Sequence, residues 1–123
     1  MDAALSDLLR AVGEGFEGDA DAAAGAFHED AVLVSAGQPP LHGRDAITGW
    51  FQAFGGRRER FSVADVLRDG DRVAVEYAVA FRADAHAYAR HGIALLRLRD
   101  GSISSWRGVE VEAEEDLSPW GGD

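Results

Sequence analysis

The second half of this chain contains four long runs of strand-forming residues, and several of them are apolar on both faces. Arg60 to Arg68 leads into Asp69-Gly70-Asp71, and Ala87 to Arg99 leads into Asp100-Gly101. Asp-Gly between alternating runs is a strong hairpin signal. With Arg72 to Phe81 and Ser102 to Val111 as the other two strands, the spacing predicts an antiparallel meander. A sheet that is apolar on both faces must be covered twice. Helices from the first half supply one cover. The simplest second cover is another copy of the chain.

The first half reads as helices. Leu5, Leu8, Leu9, Val12 and Phe16 recur at helical spacing, with Ser6 or Asp2 as a cap. Asp19 caps a short second helix through Ala22 to Phe27. Ala31 to Ser35 is a short β-like run, and Gly37 to Gly43, with Pro39 and Pro40, is expected to be a loop. Asp45 opens a third helix with Ile47, Trp50, Phe51 and Phe54 on one face, stopped by Gly55-Gly56. Helices first and a meander after make the class α+β. The 123 residues carry no internal repeat or linker, so residues 1–123 are expected to form a single domain.

Composition excludes several chemistries. The chain has no cysteine, which removes thiol nucleophiles, disulfides and Cys-ligated zinc. All 12 basic residues are arginine, so Schiff-base chemistry and a phosphate-binding loop lysine are excluded too. The net charge of −10 repels nucleic acid and anionic membrane, so neither is an expected partner. The acids gather at the ends, where solubility explains most of them. The apolar runs are too short to span a bilayer, and no secretory signal is read at the N-terminus. A cytoplasmic location is the expectation. No glycine-rich phosphate loop and no Ser–His–Asp elbow is present. His28, His42, His86 and His91 lack zinc-site spacing, so neither a metal nor any other cofactor is expected.

Phe27-x-x-Asp30-Ala31-Val32 followed by Gly43-Arg44-Asp45-Ala46-Ile47 resembles the nuclear transport factor 2-like superfamily, in its SnoaL-like branch. Arg97-x-x-Asp100-Gly101-x-Ile103-x-x-Trp106-Arg107 agrees with it, and so does the tail Asp116-Leu117-Ser118-Pro119. The resemblance implies a cone-shaped curved antiparallel sheet wrapped around N-terminal helices, an apolar pocket inside, and a homodimer through the outer sheet face. Members of this group include ketosteroid isomerases, polyketide cyclases, dehydratases, epoxide hydrolases and non-catalytic binders. The motifs specify the fold and leave the reaction open. At the positions of the ketosteroid isomerase base, oxyanion Tyr and oxyanion Asp stand Ser35, Ala11 and Ala94. Limonene-epoxide hydrolase residues fall at Tyr77, Val79, Gly108, Leu33 and Ser35. Neither catalytic set is present.

Strand parity, aligned by the resemblance, points Val73, Val75, Tyr77, Val79 and Phe81 inward, with Tyr88, Arg90, Gly92, Ala94 and Leu96 beside them and Trp106, Gly108 and Glu110 next. Ile93, Leu95, Val109 and Val111 then share the outer face as an apolar patch suited to dimerisation. Glu110 is the sharpest catalytic candidate, because a carboxylate at the rim of an apolar pocket is drawn toward acid–base work. It also heads an acidic run that reads equally as a solvated face. Arg90 would hold a substrate oxygen, pair with Glu110 or Asp84, or, with the opposite parity, lie on the surface. Tyr77 and Tyr88 are candidate hydrogen-bond donors, and His86 is a minor acid–base candidate. Leu33, Ser35, Trp50, Phe54, Val79, Ala94, Trp106 and Trp120 are candidate substrate contacts, several of them equally readable as core. The leading expectation is a cofactor-independent acid–base enzyme acting on a hydrophobic small molecule. It would be of isomerase, cyclase, dehydratase or epoxide-hydrolase type, with natural-product biosynthesis as one setting. The alternative is a non-catalytic small-molecule-binding or assembly module on the same fold.

Overall fold

The computed structural model describes residues 2–53, 60–83 and 86–114, with the side chains of residues 82, 83, 86 and 112–114 left out. Helix α1 spans Ala3–Phe16, α2 Ala20–Ala24 and α3 Arg44–Gln52. Strands are β1 Phe27–Ser35, β2 Leu41–His42, β3 Arg60–Asp69, β4 Arg72–Ala83, β5 His86–Arg99 and β6 Ser102–Glu114. They form one curved, unclosed sheet in the order β2-β1-β6-β5-β4-β3. The β3–β6 meander is antiparallel as expected, while β1 runs parallel to β6.

Local chemistry explains the elements. Asp2 caps α1 by accepting the Leu5 amide at 2.8 Å, and Leu5, Leu9, Val12 and Phe16 bury one stripe of it. Asp19 caps α2 through the Ala22 amide at 3.1 Å. Both hairpins turn through left-handed residues: Gly70 at φ 62°, and Asp100 and Gly101 at 52° and 79°. Consecutive positive φ angles suit the Asp100-Gly101 hairpin turn, and a single left-handed glycine at the first turn position suits the one at Gly70.

Three boundaries differ from expectation. The second helix ends at Ala24, because Phe27 already belongs to β1 and pairs with Ile103. The Ala26 carbonyl accepts the Ile103 amide at 2.9 Å, so sheet pairing overrides helical propensity there. The loop after Ser35 contains a short strand after all: Leu41 and His42 pair with Leu33 and Val32, just past the two prolines. The third helix begins at Arg44, capped by the Gly43 backbone at φ 90°.

These details show what the Phe27…Gly43-Arg44 motif encodes. The β1 register slips between Phe27 and Val32. The Arg44 guanidinium donates to the Phe27 carbonyl there, at 2.7 and 3.2 Å. Gly43 makes the turn that brings Arg44 back. The motif is therefore a structural fastening between β1 and α3.

The helices cover the inner face of the sheet. Phe16, Phe27, Leu33, Ile47, Phe51, Val75, Tyr77, Val79 and Ile103 are fully buried between the two layers. Each such side chain contributes about 1.5–3 kcal/mol. Phe16 stacks on Phe61 with centroids 5.4 Å apart, which ties α1 to β3.

Candidate active site

The register of β4, β5 and β6 sets Tyr77, Gly92 and Glu110 side by side across three strands. All three face inward. Gly92 has no side chain, so the tyrosine and the glutamate reach across it to each other. The Tyr77 hydroxyl donates a hydrogen bond to Glu110 Oε2. A methyl group on Gly92 would lie 2.5 Å from Tyr77 Cζ and 2.7 Å from its Oη. Gly108, opposite Ala94, leaves further room: a methyl there would lie 3.0 Å from Trp106 Nε1. Small residues at 92, 94 and 108 are therefore what allow a polar group this deep in the sheet.

Arg90 completes the cluster. It lies two residues from Gly92 on β5, on the same face, with its Nε 3.3 Å from Glu110 Oε1. Its guanidinium carbon sits 5.4 Å from the centroid of the Phe81 ring, a cation–π contact. Arg90 is the one buried charged residue among the described side chains, at 7% exposure. Glu110 keeps 21% of its side chain in solvent, against 9% for Arg90. The carboxylate thus has a donor on one oxygen and a cation beside the other, the surroundings that an ionised carboxylate requires.

Burial pushes the Tyr77 hydroxyl well above the usual tyrosine range, and the Glu110 charge and hydrogen bond push it further. Arg90 opposes this only in part. Tyr77 therefore stays protonated and remains a donor throughout the neutral range. Its ring is enclosed by Phe61 at 5.5 Å, Trp106 at 5.8 Å and Phe16 at 6.2 Å.

The other expected site residues fall into three groups. Leu33, Val79, Ala94 and Trp106 are buried on the inner face, in the same layer as the cluster. Tyr88 is half-buried and stacks on its register partner Phe81 at 5.4 Å, next to Arg90. Ser35 ends β1 opposite Gly108. Trp50 is half-buried, with its edge toward Phe16 and Phe51, and its indole N–H donates to Gln38 at 2.9 Å. That bond ties α3 to the proline loop. The backbone of His86 opens β5, and its side chain is outside the description, as are Phe54 and Trp120.

Parity alone did not reveal what Gly92 and Phe81 do. Gly92 supplies the space for the cluster and Phe81 the aromatic face under Arg90. A glycine in mid-strand, between Arg90 and Ala94 on the inward face, was the available signal for close approach of another group.

A family model described as a SnoaL-like domain matches residues 6–106. None of the curated proteins matches the sequence significantly. Among solved structures, an epoxide hydrolase/cyclase-like enzyme, SalBIII, described for pyran ring formation in the polyether salinomycin, superposes with a TM-score of 0.78 at 20% identity. That match covers 91% of this chain and 95% of the other. A hypothetical protein with a ketosteroid isomerase-like fold from Catenulispora acidiphila, in complex with trimethylamine, gives 0.72 at 22% identity, covering 82% of each chain. An epoxide hydrolase of limonene-epoxide-hydrolase type from M. tuberculosis gives 0.70 at 19%, covering 86% of this chain and 84% of that one. At these identities the likeness carries the fold.

Proposed function

The chain belongs to the SnoaL-like domain family, and from there we propose that it is a cofactor-independent acid–base enzyme for a hydrophobic small molecule. The observation that carries the reading is the convergence of Tyr77, Arg90 and Glu110 across Gly92 on the inner face. Glu110 is the base: it takes a proton from a substrate carbon or hydroxyl and returns it at another atom. Tyr77 turns its hydrogen bond from the carboxylate to the substrate oxygen as negative charge develops there. Arg90 balances that charge once Glu110 is protonated. Isomerisation, cyclisation, dehydration and epoxide opening all fit this division of labour. Leu33, Val79, Ala94 and Trp106, with Phe81 and Tyr88, form the apolar surroundings. Residues 1–123 act as one domain, and two copies associate through the outer sheet face.

The test is turnover of a panel of β,γ-unsaturated ketones, epoxides and hydroxy-epoxides by the wild type and Glu110→Gln. The expected result is a loss of about 100-fold or more in kcat with the fold intact. Retained turnover in Glu110→Gln would remove the role assigned to that residue. A second reading, a binding module, is favoured by the near-complete burial of Tyr77 and Trp106, at 1% and 3% exposure. Tight binding of a panel compound with no turnover by either protein would select it.

A further inference from the structure

We propose that the indole N–H of Trp106 is a second hydrogen-bond donor to the oxygen of the bound molecule, acting beside Tyr77 over the bare backbone of Gly108. The assignment rests on the inner-face site proposed above. It adds a polar group to what the Trp106 ring alone would make an apolar wall.

The two described indoles behave differently. Trp50 is half-buried, and its N–H donates to Gln38 at 2.9 Å. Trp106 is only 3% exposed, and its N–H makes no hydrogen bond among the described residues. An indole N–H can only donate, and one buried this deeply ordinarily has an acceptor. Leaving a buried donor without one is costly. What this N–H faces therefore matters.

Trp106, Gly108 and Glu110 alternate along the inner face of β6. The Trp106 ring leans over Gly108, so that a side chain there would begin 3.0 Å from Trp106 Nε1. That separation is crowded for a carbon and ordinary for an N–H···O bond. Next nearest to the same point are Tyr77 Oη at 3.6 Å and the Ile93 carbonyl oxygen at 3.7 Å. All three neighbours are polar atoms, whereas at Gly13 and Gly15 the corresponding neighbours are all side-chain carbons. The register partners of Gly108 are Ala94 on β5 and Ser35 on β1, both small.

Two donors thus converge above Gly108, with Glu110 the next inward residue of the strand. An oxygen lodged there accepts from Trp106 and, once Tyr77 turns from Glu110, from Tyr77 as well. A carbonyl oxygen has the two lone pairs for this. Tyr77 must leave the carboxylate to take part, whereas no described residue has to release Trp106. Trp106 is therefore the donor already in place before negative charge develops.

The experiment follows the indole N–H resonance of Trp106 by NMR as 3,4-dichlorophenolate is added. The control is 3,4-dichlorotoluene, which carries a methyl group in place of the oxygen. The phenolate should move the resonance downfield, and the toluene should not. Trp106→Phe keeps a ring and loses the N–H. It should bind the phenolate about 10- to 100-fold more weakly, as for a lost hydrogen bond to a charged oxygen, and the toluene within about 2-fold of the wild type. On any compound that is turned over, its kcat should fall by about 100-fold. A resonance that stays still as the phenolate binds overturns the proposal. Equal losses for both probes overturn it too, because Trp106 would then be apolar wall only, and so does a wild type that does not hold the phenolate. If Trp106→Phe does not fold, the wild-type resonance alone decides. The two readings fail separately. Turnover that needs Glu110 yet is unchanged in Trp106→Phe leaves the enzyme and removes the donor. A resonance that moves without any turnover keeps the donor and selects the binding module.

Discussion

The two faces of β4, β5 and β6 solve the same problem in opposite ways. The inner face carries one buried guanidinium, and every part of its surroundings accommodates it: a carboxylate at 3.3 Å, an aromatic ring beneath, a glycine beside. The outer face carries three exposed arginines, two of them directly opposed, among half-exposed aliphatic residues. Charge inside a low-dielectric layer has to be satisfied within the chain, whereas charge on a solvated face need not be. The difference teaches where each face's charge is answered: inside by a fixed cluster of side chains, outside by solvent.

The contrast can be broken most forcefully at the arginines. Arg90→Met leaves Glu110 without its cation and should destabilise the fold by about 2–3 kcal/mol. Arg97→Met, measured in denaturant at a concentration where the chain is monomeric, should change stability by less than about 0.5 kcal/mol, because it relieves the opposition to Arg72. Equal costs at the two sites would erase the distinction between the faces. Gly92→Ala comes next. Its added methyl meets the Tyr77 ring, and the ring is held by Phe61, Trp106 and Phe16, so a loss of about 1–3 kcal/mol is expected in thermal unfolding. A neutral Gly92→Ala would mean that Tyr77 moves freely and that the cluster is looser than its geometry implies.

The smallest effect sharpens the picture through pH. Tyr77→Phe should cost about 1 kcal/mol at neutrality for the lost hydrogen bond. Above about pH 10 an unfolded tyrosine releases its proton while the buried Tyr77 keeps it, so the native state holds more protons and stability falls as pH rises. The phenylalanine variant lacks that component, and its stability should decline less steeply on the alkaline side. Identical alkaline profiles would show that Tyr77 is not protected as its burial indicates.

Much of this arrangement was legible in the residues. Asp69-Gly70-Asp71 and Asp100-Gly101 marked both hairpins, and strand parity, once the family resemblance chose which face is inward, grouped Tyr77, Arg90 and Glu110 on one face and Ile93, Leu95, Val109 and Val111 on the other. Period-two alternation is a strict geometric rule, so such readings travel well. The start of β1 was not legible. Phe27 lies in an Ala-rich stretch that favours helix locally, and only Ile103, remote in sequence, draws it into the sheet. The cluster itself was half legible: the residue types were readable, but the bond between Tyr77 and Glu110 depends on the emptiness at Gly92, and an empty position leaves no mark in a hydropathy pattern.

The position of β6 has a consequence for how the molecule comes into being. β6 is the last strand described, yet it lies between β1 and β5 in the sheet. During synthesis the first strand can find only β2 as a neighbour, and the meander lacks its seam until β6 emerges. The closing contacts, such as Phe27 with Ile103, join segments from nearly opposite ends of the described chain. Contacts of such long range slow the search for the native state. Until then β1 offers a raw strand edge, so the interval before β6 arrives is when this chain is most open to aggregation or to capture by a chaperone.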